Sequence, residues 1–268
     1  ERFLRMSTYQ KRKIKLKIIS LIAVVAYIAV WYLCTAVLEL APSYKVPDPL
    51  TVVRTFITKL YDPRPDGSTL IVHFWSSFKV VMVGFCCGAV LGIPLGILMG
   101  WYRWVNSLLR PIFDFIRPIP PIALIPIVVI LFGISLEAKA IIVFIAALMP
   151  CILNSYQGIK QTNMVHVWVA QTFGATNRQR LFTVGIPSAM PMIFTGLRVS
   201  MATSWMSLVA AELMGATSGL GYLISVARGL LRSDIIIVGM LCLGVIGICI
   251  SLLFDFLEKL MVRGGMWQ

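Results

Sequence analysis

Few side chains in this sequence could do chemistry in an apolar medium, and they are scattered. Glu212 and Arg198 interrupt an otherwise uncharged stretch, 189–213, Arg228 follows soon after, and the two histidines, His73 and His166, stand far apart. An ionisable residue within a membrane span is costly, which makes it a functional candidate by default. Glu212 could line a solute path, or pair with Arg228 in a gate; an ordinary structural ion pair accounts for it equally well. Arg198 could be a further path residue, or could snorkel to the nearer surface. Catalysis needs convergent groups. The histidines are expected on opposite faces of a membrane, so they can share neither a metal nor an active site, and His73 reads as an interfacial residue. No catalytic or metal site is assigned. The pattern GxxxxGK[ST] does not occur, so this chain offers ATP phosphates no loop of its own. The six cysteines (Cys34, Cys86, Cys87, Cys151, Cys242, Cys249) lie in apolar stretches without paired CxxC spacing, and read as small core residues.

The elements that hold these residues follow from composition. The chain is 59% hydrophobic and 13% charged, where soluble domains are roughly one-quarter charged. Uncharged runs near the roughly 20 residues needed to cross a bilayer core occur at 18–38, 80–101, 119–136, 140–159 and 235–254. The stretch 189–213 is a sixth span that carries charge. Backbone polar groups must be satisfied internally in lipid, so each span is expected to be a helix. The fold class is therefore all-α: a polytopic membrane protein with six transmembrane helices in one domain, 18–268, behind a basic segment, 1–17. The first span is too long, and lacks the small-residue site, for a cleaved signal; it reads as a retained anchor.

Basic residues set the orientation. With the N-terminus inside, the inner segments hold Arg2, Arg5, Lys11, Arg12, Lys13, Lys15, Lys17, Arg103, Arg110, Arg117, Lys160, Arg178, Arg180, Lys259 and Arg263. The outer ones hold only Lys45, Arg54, Lys59, Arg64, Lys139, Arg228 and Arg232. The positive-inside rule then makes both termini and the 162–187 loop cytoplasmic. The net charge of +13 is mostly topology, with anionic membrane lipid a further partner of the basic N-terminus, and it calls for no nucleic acid.

Several segments have internal logic. Val52, Val53, Phe56, Ile57 and Leu60 recur at helical spacing, predicting an amphipathic helix on the outer membrane surface or packed on the bundle. Gly84, Gly88, Gly92, Gly96 and Gly100 form a smooth stripe that lets another helix approach, either within the chain or at a seam between copies. Pro111, Pro118, Pro120, Pro121 and Pro126 predict a bent or broken entry to the third span. Gly219 and Gly221 precede a short amphipathic stretch ending at Arg228 and Arg232, which reads as a helix dipping back from the outside. No inverted repeat of the kind common in secondary transporters is visible.

The polar interlude at 162–187 is the most distinctive segment. Residues 164–173 should form a short helix with Val165, Trp168, Val169 and Thr172 on one side. Gly174 allows a sharp turn, and a second segment from Asn177 leads through Pro187 into the fifth span. Such a knob could carry force from a partner into a transmembrane helix.

Its spacing resembles the cytoplasmic motif of permease subunits of ATP-binding-cassette importers: EAA, three residues, Gly, nine residues, then I-x-L-P. Here the positions read Trp168-Val169-Ala170, Gly174 followed by Ala175, and Val184-Gly185-Ile186-Pro187, with tryptophan where the family places glutamate. FTGLRVSMATSWMSLVAAELMGATSGLGYLI, VPDPLTVV and RPIPPIALIPIVVILFGI are similar to the nitrate, sulfonate, taurine and bicarbonate group of those permeases. The resemblance implies the type I ABC importer permease fold and a multi-pass protein of the bacterial cytoplasmic membrane. It implies a second permease copy, two ATPase subunits that bind Mg-ATP, and an extracytoplasmic substrate-binding protein. The chain itself would have no cofactor and no enzymatic activity, and would pass a small solute, an anion or sulfonate-like compound. The interlude would be the coupling helix, with Trp168, Val169, Ala170, Gly174, Ala175, Ile186 and Pro187 meeting the ATPase. The competing reading of the residues is an autonomous secondary transporter or channel, for which Glu212 and Arg198 are sparse material.

Overall fold

A computed structural model of the chain describes residues 8–40 and 42–262, so Arg2, Arg5 and Arg263 of the basic count lie outside the described residues. Helix α1 (Thr8–Tyr32, continued by a π turn, Leu33–Val37) stands apart from the rest and meets it mainly where Trp31 donates to the Pro47 carbonyl at 3.2 Å. The amphipathic stretch forms α2 (Pro49–Tyr61), started by Asp48, whose carboxylate accepts from the Thr51 N–H at 2.9 Å. Val52 and Lys59 of α2 are buried against the bundle while Val53 and Ile57 point away.

Three long helices form the centre: α3 (Leu70–Trp101), α6 (Leu136–Lys160) and α9 (Ile186–Met214). Helix α6 is the axis, for none of residues 138–156 is exposed. Its two sides are fitted by different means. Toward α3 the fit depends on the glycine stripe. A Cβ on Gly84, Gly88, Gly92 or Gly100 would lie 2.6–2.8 Å from the Cβ of Val143, Ala147, Cys151 or Ile159 in turn, and one on Gly96 would overlap the Ile152 carbonyl. Both partners advance four residues at a time in the same direction, so α3 and α6 run parallel in constant register. The stripe is thus an internal seam. Toward α9 the helices are antiparallel, with Gly158 against Ala189, Gly196 against Asn154, and the Thr203 hydroxyl donating to the Ala146 carbonyl at 3.0 Å.

Between α3 and α6 the chain makes α4 (Arg103–Ile116), a 3-10 turn (Pro121–Leu124) and α5 (Ile125–Phe132). The sequence suggests one span over 119–136. Instead α5 has only 8 residues, and it joins α4 through a bend of 78°. Pro118, Pro120 and Pro121 remove backbone donors, and Pro120, held before Pro121, is extended at φ −67° and ψ 135°, which places the break there. The far end holds α10 (Leu220–Gly229), followed by α11 (Ser233–Val262) against α2, α9 and α10. Among the described residues, five helices are long and apolar enough to cross a membrane, or six if the bent pair counts as one span. Cys151 is a small core residue as expected, but Cys86, Cys87 and Cys249 are exposed on the outer surface of the bundle, because they fall off the packed faces of α3 and α11.

Candidate functional site

The polar interlude folds as two short helices, α7 (Met164–Thr172) and α8 (Asn177–Arg180), with a π turn (Leu181–Gly185) leading into α9. Local chemistry explains each boundary. Asn163 starts α7 by accepting from the Val165 N–H at 2.9 Å. Gly174, at φ +81°, ends it: the Gly174 N–H donates to the Gln171 carbonyl at 3.0 Å and the Ala175 N–H to the Ala170 carbonyl at 3.1 Å, the paired bonds of a left-handed glycine cap. Thr176 and Gln179 then form a reciprocal capping box that starts α8. The Arg180 guanidinium donates to Gln171 Oε1 at 2.9 Å and ties the two helices together.

This knob presents a large apolar surface. Trp168 is 59% exposed and Phe173 87%, and Met164, Val165, Val169 and Phe182 are exposed beside them. Ala170 and Ala175 are half-buried, Gly174 and Pro187 are exposed, and Ile186 packs in the cluster of Ile159, Leu181, Ala189 and Ile193. The knob is joined to the bundle at a point that sequence reading misses. Trp101, the last residue of α3, donates from its indole N–H to Asn177 Oδ1 at 3.1 Å and lies against Gly185, where a Cβ would come within 2.8 Å of its ring. A tryptophan at the end of a long apolar run is the one local signal of this role.

At the opposite end, the structure brings together groups from four segments. Glu212 is 1% exposed and His73 is fully buried, so His73 is no interfacial residue. A Glu212 carboxylate oxygen accepts from the Gly221 N–H at 2.8 Å, and both oxygens accept from the Ser77 hydroxyl at 2.8 and 3.0 Å. Ser77 Oγ in turn accepts from the Leu220 N–H at 2.9 Å, and His73 Nδ1 accepts from the Gly219 N–H at 3.1 Å. Three successive donors at the start of α10 are thus capped by side chains from α3 and α9 rather than by a residue of their own segment. A helix start leaves such N–H groups orphaned, and its partial positive charge favours a carboxylate there. Because Nδ1 accepts, the His73 proton sits on Nε2, which bonds to Asp66; Asp66 also pairs with Lys59. The Lys59 ammonium donates as well to the carbonyls of Ser68 at 2.7 Å, Arg64 at 3.1 Å and Pro63 at 3.3 Å.

Glu212 and Arg228 are therefore not a pair. Arg228 is exposed near the other end of α10, and the Glu212 oxygens are taken by Ser77 and Gly221. Gly219 and Gly221 are where the carboxylate requires closeness: a Cβ on either would strike Glu212, and Gly219 also has φ +124°. Nor does Arg198 snorkel alone. Its guanidinium meets Asp255 and Glu258 of α11, each at 2.6 Å and each half-buried. Removing the arginine leaves two carboxylates facing each other, whereas removing all three charges does not. The chain with Arg198→Met alone should unfold at a lower temperature than the chain with Arg198→Met, Asp255→Leu and Glu258→Leu together; equal melting temperatures would show that the triad is not coupled.

A parallel, glycine-fitted helix pair, a broken span, a short helix capped by side chains of two long ones and an apolar knob at the opposite end define a multi-pass membrane protein of the permease type. The solved structure of the MetNI methionine ABC transporter in inward-facing conformations has the same fold, with a TM-score of 0.60 at 19% identity over 72% of this chain and 95% of that one. The family model described as binding-protein-dependent transport system inner membrane component matches residues 92–264. The chain belongs to that family. It is 33% identical to the taurine transport system permease protein TauC of Escherichia coli (strain K12) over 232 residues, covering 87% of this chain and 84% of that protein. A putative ABC transporter permease protein of Methanocaldococcus jannaschii is 40% identical over 191 residues, 71% of this chain and 72% of the other. The nitrate import permease protein NrtB of Synechocystis is 31% identical over 246 residues, 90% and 88% of the two chains. This protein is a permease subunit of an ABC importer, a multi-pass protein of the cytoplasmic membrane.

Proposed function

We propose that the chain forms the path for a small anion or sulfonate-like solute and is driven by separate ATPase subunits through the 162–187 loop. The domain 18–268 pairs with a second copy of itself, two ATPases that bind Mg-ATP lie under the pair, and an extracytoplasmic binding protein delivers the solute. Both termini and the loop are cytoplasmic, a reading that the distribution of basic residues supports. The names of similar proteins, which mention taurine, nitrate and bicarbonate, support the solute class.

The exposed apolar knob carries this reading. Trp168, Val169 and Phe173 leave a surface that a partner's cleft would bury, and Ala170, Gly174 and Ala175 fix the turn that presents it. Trp168 stands where the family has glutamate, so the contact is apolar rather than charged. Displacement of the knob would reach α3 through Trp101 and α9 through Ile186 and Pro187, and rock the helices between inward- and outward-facing states.

Interface tryptophans are frequent hot spots, and truncating one costs at least about 2 kcal/mol, or roughly thirtyfold in affinity. Trp168→Ala should therefore weaken ATPase association by that order and slow transport. Gly174→Trp, which puts a bulky residue at positive φ, should do the same. Co-purification of the ATPase and uptake in liposomes measure both effects, and normal values for both variants would show that the loop is not the coupling element.

A further inference from the structure

The apolar knob also has a sign of charge. Between Glu137 and Glu212 the sequence has no aspartate or glutamate, so every fixed charge of the 162–187 loop is positive. In α8 three of the four side chains are committed within the chain. Asn177 Oδ1 accepts from the Trp101 indole at 3.1 Å, Gln179 Oε1 accepts from the Thr176 N–H at 2.8 Å, and the Arg180 guanidinium donates to Gln171 Oε1 at 2.9 Å. Arg178 is the fourth. It is exposed, and its guanidinium has no hydrogen-bond or ion-pair partner among the described residues. Lys160, 5.9 Å over the Tyr156 ring at the end of α6, adds charge of the same sign just before the loop.

The bonds of its three neighbours fix the turn that carries Arg178 before any partner arrives. A guanidinium fork matches a carboxylate with two parallel bonds. Interfaces pair an aromatic, apolar centre with a polar rim, and Trp and Arg are the residues that most often carry their energy. Trp168 and Phe173 supply such a centre and Arg178 such a rim, so the complement is a cleft with apolar walls and an acidic edge. An anionic membrane surface also attracts cations, but a helix lying on it sets a charged face against its apolar one. Helix α7 has no Lys, Arg, Asp or Glu; Val167 is buried against the bundle, and Met164, Val165, Trp168 and Val169 are exposed. We propose that the ATPase cleft presents a carboxylate to Arg178, so that the polar contact runs from a cation on the permease to an anion on the ATPase, the opposite sense to a glutamate at position 168. This rests on the reading of 162–187 as the coupling element.

The test measures the Kd of the transporter's purified ATPase for the full chain in nanodiscs of phosphatidylcholine, and again with phosphatidylglycerol added, at 50 and 500 mM salt. At low salt Arg178→Gln should weaken binding about tenfold and Arg178→Glu about a hundredfold, with Arg178→Lys between Gln and native, and high salt should narrow these gaps. Trp168→Ala should weaken binding alike at both salt levels, since its contact is apolar. Arg178 is exposed, so none of its variants should shift the melting temperature. Changing one carboxylate of the ATPase to arginine should restore binding of the Arg178→Glu chain; rescue by none of them overturns the proposal. Weak binding by Trp168→Ala with native binding by Arg178→Gln and Arg178→Glu overturns it and leaves the coupling reading standing. Native binding by all three variants removes the coupling reading itself. An effect of Arg178→Glu that appears only when phosphatidylglycerol is present assigns the arginine to the membrane and overturns the proposal.

Discussion

Gly96→Ala is expected to destabilise the chain sharply, and Gly96→Leu to prevent it from accumulating folded. The added Cβ of Gly96 would overlap the Ile152 carbonyl and meet the Ser155 Cβ at 2.8 Å. The first of these is backbone and has no rotamer by which to move aside. Overpacking a close-fitted core costs about 1–3 kcal/mol, occasionally more, and here relief would require the parallel helices to part along the whole stripe. Gly244→Ala on α11 is the matched control, since a Cβ there meets nothing within 4 Å. Replacing an unconstrained helical glycine by alanine stabilises by roughly 0.5–1 kcal/mol, so the same chemical change should have opposite signs at the two sites. Thermal unfolding of the purified chain, followed by size-exclusion elution, would show it. Equal melting temperatures for the two alanine variants would contradict the fitted seam.

The second large effect belongs to Glu212. Glu212→Leu should cost about 1–3 kcal/mol for each buried donor it leaves without an acceptor. It leaves the Gly221 N–H and the Ser77 hydroxyl facing a methyl group, and the helix start without its carboxylate. Glu212→Gln retains one carbonyl oxygen for the Gly221 N–H and should cost nearer 1 kcal/mol. A transport role in proton or ion exchange would give a different ranking, with glutamine nearly as harmful to uptake as leucine while both proteins stay folded. Melting temperature and uptake measured on the same preparations separate the two. Parallel losses in both quantities across Glu212→Gln and Glu212→Leu are the expected outcome.

The interlude was legible because everything that shapes it is close in sequence. Asn163, Gly174, Thr176 and Gln179 act within a turn of themselves, through caps whose residue preferences are local. The glycine stripe was legible as a stripe, since a period of four on a helix marks a face. Its partner was not, because the matching face of α6 alternates Val143, Ala147, Cys151, Ser155 and Ile159, ordinary residues that announce nothing. The break before α5 could be read from its prolines, but how little helix follows it could not.

The sequence by itself determined that this is a helical membrane protein, where five of its spans lie, and that one loop has the spacing of an importer permease. These depend on composition, run length and local backbone chemistry, which act over a few residues. Only the tertiary structure decided what the charged residues do. Glu212 caps α10 with Ser77 and His73, Arg198 holds Asp255 and Glu258, and Trp101 joins the loop to α3. Each joins side chains far apart in the chain, and their meeting is set by the register of packed helices, which is a property of the whole bundle and of no single segment.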